Sequence, residues 1–291
     1  MPNLKLKQKK NLSSFRRIAI GTWKTVGDPS VYGSLTLKMG KALEYLDRFR
    51  EVTGKRVTLS HMMAKAVASV LEKMPDANAI LRWNRIYLRD DIGVFFQVAM
   101  NDPVTGEIDL SGATIHSCNT KNLEQIYDDF AGQVEKVRAG KDKELENTRS
   151  TFKKIPFFLL NFVLTLIGFL AYTLNLNLKW AGVPNDAFGS VMVTNIGVLG
   201  LEEAYVPLVP YSRVPLLIAM GAVKDDVVIV DGEVKVEKVM KLFATFDHRV
   251  LDGTHAAIMA KTLKTCFENP FEFFDSLEGR STATANESLE D

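Results

Sequence analysis

The stretch Asp247-His248-Arg249-Val250-Leu251-Asp252-Gly253 determines how the rest of the chain is interpreted. It follows residues 239–246, a run rich in β-branched and aromatic side chains that predicts a buried strand. Apolar side chains then recur on one helical face, and Pro270 marks the end of that helix. The members of the apolar face are Ala256, Met259, Ala260, Leu263 and Phe267. We therefore expect His248 at a strand-to-helix junction, with Gly253 allowing a tight turn.

His248 is one of only four histidines in the chain. A strand-to-helix junction can fix the tautomer and the direction of an imidazole, which are the conditions that a general base requires. The alternative role is a buried, hydrogen-bonded histidine at a turn, and that is the more frequent role of a lone histidine. The residues around His248 favour the catalytic role.

The motif resembles the catalytic signature of the acyltransferase subunit of 2-oxoacid dehydrogenase complexes, within the superfamily that includes chloramphenicol acetyltransferase. Five further segments are similar to this family in the same order, and the resemblance extends from about residue 14 to 277 apart from one insertion. These segments are residues 16–19, 74–79, 121–126, 193–197 and 214–221. The resemblance implies an α/β (α+β) fold of the chloramphenicol acetyltransferase type, with a mixed β-sheet flanked by helices. It also implies a homotrimer whose sites lie at subunit interfaces.

The chemistry that the resemblance implies is acyl transfer between thiols, with coenzyme A as the acyl thioester and dihydrolipoamide or another acceptor. His248 would remove the thiol proton so that the thiolate attacks the thioester carbonyl. Thr194 occupies the position of the family's hydroxyl residue and would donate a hydrogen bond to the oxyanion. The two side chains would come from different subunits. The alternative for Thr194 is an ordinary β-branched strand residue.

Asp252 completes the candidate catalytic set with His248 and Thr194. The resemblance implies a structural role for Asp252, in which it pairs with an arginine, and both Arg16 and Arg17 remain open as the partner. We expect further residues to support the site rather than to contact substrate, namely Asp247, Arg249, Gly253 and Asn195.

Composition fits a cytoplasmic enzyme of one large or two small domains. The chain has 291 residues, a hydrophobic content of 46% and a net charge of +1, so nothing in its charge indicates a nucleic-acid partner. Two cysteines, Cys118 and Cys266, provide neither a disulfide framework nor a metal-ligand cluster, so no metal site is expected. Each is interpreted as a small buried residue.

The chain is expected to divide into a solvated basic N-terminal arm (residues 1–13), a catalytic domain (14–277) and a disordered polar tail (278–291). Asp231-Gly232 predicts a two-residue hairpin turn within the domain. The domain leaves no room for a lipoyl domain, so a lipoyl group is expected in trans from another protein. An isolated trimer is also expected, because the polar tail lacks the apolar C-terminal anchor that would join trimers into larger assemblies.

An apolar helical insertion at about 150–182 departs from the family pattern. Residues 155–178 are long enough to cross a bilayer, but a single crossing would separate the two halves of one domain. The less apolar positions form a narrow stripe on one helix, or on two short helices broken near Gly168: Asn161, Thr165, Gly168, Tyr172 and Asn175. Three interpretations are open: a buried element packed on the trimer, a monotopic membrane anchor, and the wall of a pocket for a long acyl chain.

Two functional hypotheses follow. The first is a thioester-dependent acyltransferase that acts as a cytoplasmic or peripheral membrane protein. The second is a non-catalytic trimeric scaffold, or a membrane-associated binding module, on the same fold.

Overall fold

A computed structural model describes residues 2–10, 28–101, 108–138, 156–230 and 232–277. In chain order the elements are β1 (Leu6–Gln8), β2 (Ser30–Lys38), α1 (Gly40–Thr53), α2 (Leu59–Lys73), β3 (Ala79–Arg82), β4 (Arg85–Arg89), β5 (Val94–Asn101), β6 (Ile108–Ile115), α3 (Leu123–Arg138), α4 (Phe157–Gly168), β7 (Val191–Asn195), β8 (Leu216–Met220), β9 (Lys224–Val230), β10 (Glu233–Asp247), α5 (Gly253–Glu268) and α6 (Pro270–Phe273).

The main sheet has seven strands in the order β2-β10-β8-β7-β5-β6, and β9 pairs with the first half of β10. The pairs β5–β7 and β7–β8 are parallel, whereas the other pairs in this sheet are antiparallel. Helices α1, α2, α3 and α5 cover one face of the sheet and contribute to one large apolar core. The predicted mixed sheet flanked by helices is therefore confirmed.

The other face of the sheet is covered by connecting segments. A smaller apolar cluster there joins Met192, Leu217 and Phe243 of the sheet to residues 204–209 and Phe188. Thr245 in β10 donates a hydrogen bond from Oγ1 to the backbone carbonyl of Val206, at 2.7 Å, which fixes the 204–209 segment across β10.

The local predictions for α2 and for the hairpin agree with the structure. The inward face of α2 consists of fully buried side chains, because apolar residues recur at helical spacing: Met63, Ala66, Val67, Val70 and Leu71. Val230 pairs with Glu233, so β9 and β10 are joined by the two residues at which the turn was predicted. Pro270 does follow the end of α5, and it also begins the short helix α6 at a position where proline costs no hydrogen bond.

The predicted solvated N-terminal arm is wrong for residues 2–10. Strand β1 pairs with β4 in a separate three-stranded sheet of order β1-β4-β3, and Leu4 is buried. Asn175 accepts a hydrogen bond from the Leu4 backbone N–H and donates one to the Leu4 carbonyl, at 2.7 and 2.8 Å. The backbone therefore pairs with distant segments while Lys5, Lys7 and Lys10 stay exposed. The remainder of the arm, Arg16, Arg17 and the polar tail from residue 278 lie outside the described residues.

The insertion forms α4, followed by one π-helical turn over Phe169–Thr173. The second half is packed, since Ala171, Tyr172 and Leu178 join a buried cluster with Leu4 and Ile80. The helix therefore changes geometry just after Gly168, where the sequence suggested a break. Across the described ranges, no helix combines the length and the apolar composition needed to cross a bilayer.

His61 provides a test of this core through its protonation. His61 lies buried on α2, and its Nδ1 accepts a hydrogen bond from the Thr58 backbone N–H at 3.0 Å. Desolvation lowers the pKa of His61 from 6.5 to about 4. Folding therefore favours the neutral form of His61. The resulting contribution to the free energy of unfolding is fully present above pH 6.5 and is lost as the pH falls towards 4. We expect the free energy of unfolding to fall by about 2 kcal/mol between pH 7 and pH 5 through this residue.

Urea titrations across that pH range measure the effect. The variant His61→Leu should have a lower baseline stability but lack this slope, whereas His255→Leu should keep it. If His61→Leu retains the wild-type slope, another group is responsible.

Candidate active site

The motif lies where strand β10 ends and helix α5 begins. The Asp247 backbone N–H donates to the Pro215 carbonyl and the His248 N–H donates to the Pro29 carbonyl, each at 2.9 Å. The chain then turns, because the N–H groups of Val250 and Leu251 both donate to the Asp247 carbonyl. His248 therefore sits at the end of a strand that is held on both sides, as the sequence predicted.

The His248 ring is oriented by one backbone bond. Its Nδ1 lies 2.9 Å from the carbonyl oxygen of Leu251. A carbonyl can only accept, so Nδ1 must carry the proton and Nε2 is the ring nitrogen that can take one. This is the tautomer that a general base requires, and here a backbone group selects it rather than a carboxylate.

Asp247 and Arg249 form a closed ion pair that braces the loop. The guanidinium of Arg249 donates from Nε to Asp247 Oδ1 at 3.0 Å and from Nη2 to Asp247 Oδ2 at 2.7 Å. The Arg249 backbone N–H also donates to Asp247 Oδ1, at 2.9 Å. Asp247 is buried, and such charge-assisted pairs hold their geometry well. Both residues therefore support the backbone turn that carries His248.

Asp252 is the N-cap of α5. Its Oδ1 accepts from the backbone N–H groups of Thr254 and His255, at 3.0 and 3.3 Å, and lies 2.8 Å from His255 Nδ1. The cap anchors the residue that follows Leu251, whose carbonyl orients His248. The Arg16 and Arg17 partners implied for Asp252 lie outside the described residues. His255, which the sequence did not mark as a site residue, is the third helical residue of α5 and completes a capping box with Asp252.

Gly253 does not serve the purpose expected of it. It is the first residue of α5, it is not among the glycines with positive φ, and a Cβ atom there would meet no other atom within 4 Å. The turn is therefore formed by the hydrogen bonds to Asp247 and does not depend on a glycine.

Thr194 lies in β7 on the sheet face opposite the helices. Its Oγ1 is 3.4 Å from Gln97 Oε1 in the adjacent strand β5. The neighbouring Asn195 points to the helical face, where Nδ2 lies 3.4 Å from Ser60 Oγ and Oδ1 accepts the Val198 N–H at 3.3 Å. Asn195 therefore fixes the end of β7, while Thr194 is half-buried and presents its hydroxyl on the other face.

Strand register separates Thr194 from His248 within one chain. Thr194 is paired with Ala219, and Ala219 with Phe243, so the three lie in one row across the sheet. From that row the chain runs four residues to Asp247, a rise of about 13 Å, and β7 is two strand spacings, or about 10 Å, from β10. Segment 204–209 also crosses the intervening face. One chain therefore cannot place both side chains against the same carbonyl group.

A cavity of about 920 Å³ opens beside the motif loop. Its walls include Asp247 and Arg249, the 207–215 segment, and residues of α4. Arg213 also lines the cavity, although nothing in the sequence marked it as a site residue. The only local sign is its backbone, since Arg213 has φ of 58°, a left-handed conformation that is uncommon outside glycine.

Asp91, His116 and Asp186 each offer a ligand atom within 4.8 Å of the others. Burial alone would raise the pKa of Asp91, but hydrogen bonds from His116 and Ser117 lower it to about 2. Asp186 already pairs with the buried guanidinium of Arg89. The group is therefore satisfied as an ion-pair network, and a resident cation would have to compete with Arg89.

Both cysteines are buried, and burial raises the pKa of each thiol to about 12. Neither therefore supplies a thiolate near neutral pH, in agreement with their interpretation as small core residues.

Comparison with known proteins identifies relatives of the chain. The family of 2-oxoacid dehydrogenases acyltransferase (catalytic domain) matches residues 8–153 and 184–274. Residues 154–183 lie outside the match, and they contain α4 and the π-helical turn. The match includes the motif, Thr194 and Arg213.

Individual relatives agree with this family. The chain is 26% identical over 207 residues to the lipoamide acyltransferase component of the branched-chain alpha-keto acid dehydrogenase complex of Bacillus subtilis, which covers 71% of this chain and 38% of that protein. The chain spans between 38% and 43% of the length of the curated relatives it matches first.

Two solved structures share the fold. A probable dihydrolipoamide acetyltransferase from Listeria monocytogenes superimposes with a TM-score of 0.61 at 15% identity, covering 93% of this chain and 97% of that one. The dihydrolipoamide acetyltransferase of Azotobacter vinelandii gives 0.61 at 17% identity, covering 91% and 94%. In that enzyme a serine, a histidine and an asparagine four residues after the histidine were investigated for their role in the catalytic mechanism.

The capping role of Asp252 predicts a difference between two substitutions. Asparagine is as good an N-cap as aspartate, so Asp252→Asn should change the free energy of unfolding by less than about 0.5 kcal/mol. Asp252→Ala removes the acceptor and should cost about 1 kcal/mol. Equilibrium unfolding in urea measures both variants. Equal losses in Asn and Ala would instead indicate that the negative charge is what matters, as in a pair with an arginine.

Proposed function

Because the chain belongs to the family of 2-oxoacid dehydrogenases acyltransferase (catalytic domain), we propose that it transfers an acyl group from one thiol to another. His248 is the general base, and the observation that carries this role is the bond from its Nδ1 to the Leu251 carbonyl. With Nδ1 protonated, Nε2 takes the proton of the acceptor thiol. The resulting thiolate attacks the thioester carbonyl and forms the new carbon–sulfur bond.

The tetrahedral intermediate carries negative charge on the former carbonyl oxygen. The Thr194 hydroxyl donates a hydrogen bond to this oxyanion, and one such donor contributes about 3 kcal/mol to lowering the barrier. The intermediate then collapses, the donor thiol leaves, and the imidazolium returns the proton to it. The net reaction exchanges an acyl group for a proton between two thiols, so no redox step is needed.

The two thiols in this proposal are coenzyme A and a dihydrolipoyl group carried by a partner in trans. The support is the family itself and the names of its relatives, which are lipoamide and dihydrolipoyllysine-residue acyltransferases. Both groups are substrates that enter and leave, so the chain needs no resident cofactor for this reaction.

The active unit in this proposal is a homotrimer in which each site combines His248 of one chain with Thr194 of the next. Its support is the strand register, which separates the two residues by more than either side chain spans. The β9–β10 hairpin also presents a row of exposed apolar side chains that a second copy would cover: Val227, Ile229, Val234 and Val236. A cyclic arrangement gives every chain the same contacts.

Mixing two inactive variants tests both the chemistry and the assembly. His248→Ala should lower kcat/KM for acyl transfer from acetyl-CoA to dihydrolipoamide by roughly 10²- to 10⁴-fold. Thr194→Ala should lower it by roughly 10²- to 10³-fold, whereas Thr194→Ser keeps the hydroxyl and most of the activity.

When the two alanine variants are denatured together and refolded at equal amounts, about a quarter of the sites should regain both groups. Activity should return to about that fraction of wild type. Full activity of His248→Ala contradicts the base assignment, and no recovery on mixing contradicts sites shared between chains. A protein that transfers no acyl group in any form would support the non-catalytic scaffold instead.

We also propose that α4 attaches the protein to a membrane surface. One face of this helix, here called the outer stripe, consists of partly exposed apolar side chains at spacings of three and four residues: Leu159 (41%), Phe162 (65%), Leu166 (42%) and Phe169 (37%). Trp180, 86% exposed, and Lys179 follow the apolar run 155–178, and such residues favour the bilayer interface. A helix of this kind would lie in the interface plane rather than cross it.

Flotation with liposomes of mixed neutral and anionic lipids measures the attachment. Wild type should float with the vesicles, and Leu166→Asp should lose most of the bound fraction. Ile258→Asp is the matched control, because Ile258 on α5 is 41% exposed against 42% for Leu166. If all three proteins stay in the soluble fraction, the attachment proposal is wrong.

A further inference from the structure

The cavity beside the motif loop is built largely by parts of the chain that the proposed reaction does not use. Part of the wall is α4, which lies outside the family match, and another part is the 207–215 segment. Asp247 and Arg249, which flank His248 in sequence, also line the cavity. Any molecule that occupies this cavity therefore lies next to the loop that carries the proposed base.

Helix α4 turns its more polar face towards the cavity. The residues that line it, here called the inner stripe, are Asn161, Leu164, Thr165 and Gly168. Thr165 Oγ1 donates to Asn161 Oδ1 at 3.3 Å, which leaves the Asn161 amide group to donate elsewhere. Asn161 and Thr165 are exposed at the cavity, so their polar groups can contact a ligand that occupies it.

Arg213 places a positive charge in the cavity wall. Within the described ranges it makes no ion pair with a carboxylate, whereas the nearby Arg249 is neutralised by Asp247. Burial and the charge of Arg249 lower the pKa of Arg213 without removing its positive charge. Its left-handed backbone is strained for a residue other than glycine, so the position of this guanidinium is maintained at some cost in stability.

Part of the lining is apolar and includes Leu164, Leu208, Val209 and Val214, whereas Asp28 and Ser30 are polar members of it. The volume of about 920 Å³ is in the range of pockets that hold ligands of drug size, which is far more than a two-carbon acyl group needs. The combination of apolar walls with one unpaired guanidinium fits a chain that is apolar along its length and anionic at its end.

We propose that this cavity binds the acyl chain of the thioester substrate, and that it selects a medium-length chain with a terminal carboxylate that pairs with Arg213. The inference deepens the proposed acyl transfer and rests on it for the identity of the ligand as an acyl thioester. A carboxylate fits better than a phosphate, because Asp28 lines the same cavity and repels a dianion more strongly than a monoanion. The planar guanidinium also matches a planar carboxylate with two parallel hydrogen bonds.

Binding of two matched probes tests the proposal without any catalytic step. Suberoyl-pantetheine carries a terminal carboxylate and octanoyl-pantetheine does not, and neither contains a phosphate. Isothermal titration of the full chain should give a dissociation constant roughly tenfold or more lower for the suberoyl probe. Arg213→Gln should remove this preference, and Arg213→Lys should restore part of it.

Arg48→Gln is the control for the loss of one positive charge, since Arg48 is exposed on α1 far from the cavity. It should leave the preference intact. Leu164→Trp, which fills the cavity from the inner stripe, should weaken both probes, whereas Phe162→Ala on the outer stripe should weaken neither.

The variant His248→Ala separates this proposal from the proposed function, because it should lose acyl transfer and still prefer the suberoyl probe. A wild-type protein without acyl transfer that keeps the Arg213-dependent preference would leave the cavity assignment standing. Equal affinity for the two probes, or an unchanged preference in Arg213→Gln, overturns the proposal. So does a result in which Arg213→Gln weakens only 4′-phosphopantetheine, since the anion recognised would then be a phosphate.

Discussion

The pairing of β10 with its neighbours is the constraint on which the rest of the structure depends. This strand pairs with β9 in its first half and with β2 and β8 in its second half, and it ends at Asp247. A shift of one residue would exchange its buried and exposed side chains, so the register is strongly fixed by the apolar core on the helical face. The same register determines where His248 begins the turn, and it holds Thr194 in a row four residues away from that end. The proposal of a site shared between two chains rests on this geometry.

The loop beyond β10 is organised by backbone groups rather than by side-chain chemistry alone. The Asp247 carbonyl accepts hydrogen bonds from the two backbone N–H groups that close the turn, and Asp252 caps α5. Between them, the Leu251 carbonyl accepts a hydrogen bond from His248 Nδ1. Each bond is local, so the strand-to-helix junction could be predicted from the residues in and around the motif. The sequence also predicted the buried faces of α2 and α5 and the β9–β10 turn, because periodicity and turn residues act over short distances.

The parts that the sequence did not predict depend on contacts between distant segments. Strand β1 has three residues and an alternation of lysines that suggests a solvated arm, and it becomes a strand only because β4 and Asn175 meet it. Gly253 was expected to allow a tight turn, but backbone hydrogen bonds to the Asp247 carbonyl form that turn without it. Arg213 has a backbone conformation that no local pattern predicts for arginine, and its cavity is formed by five separate parts of the chain. The insertion was expected to be a buried element, a membrane anchor or a pocket wall. Its helix α4 has two distinct faces, of which the outer stripe is exposed and the inner stripe lines the cavity.

The central claim is that His248 and Thr194 meet only between chains, and cross-linking tests it most directly. A double variant, His248→Cys with Thr194→Cys, is treated with a short bismaleimide and separated by mass under denaturing conditions. Cys118 and Cys266 should stay unreactive, since they are buried and their thiol pKa is about 12. The account predicts covalent dimers and trimers, with neither single variant giving them in quantity. Chains that remain at monomer mass with the two introduced cysteines linked to each other would contradict it.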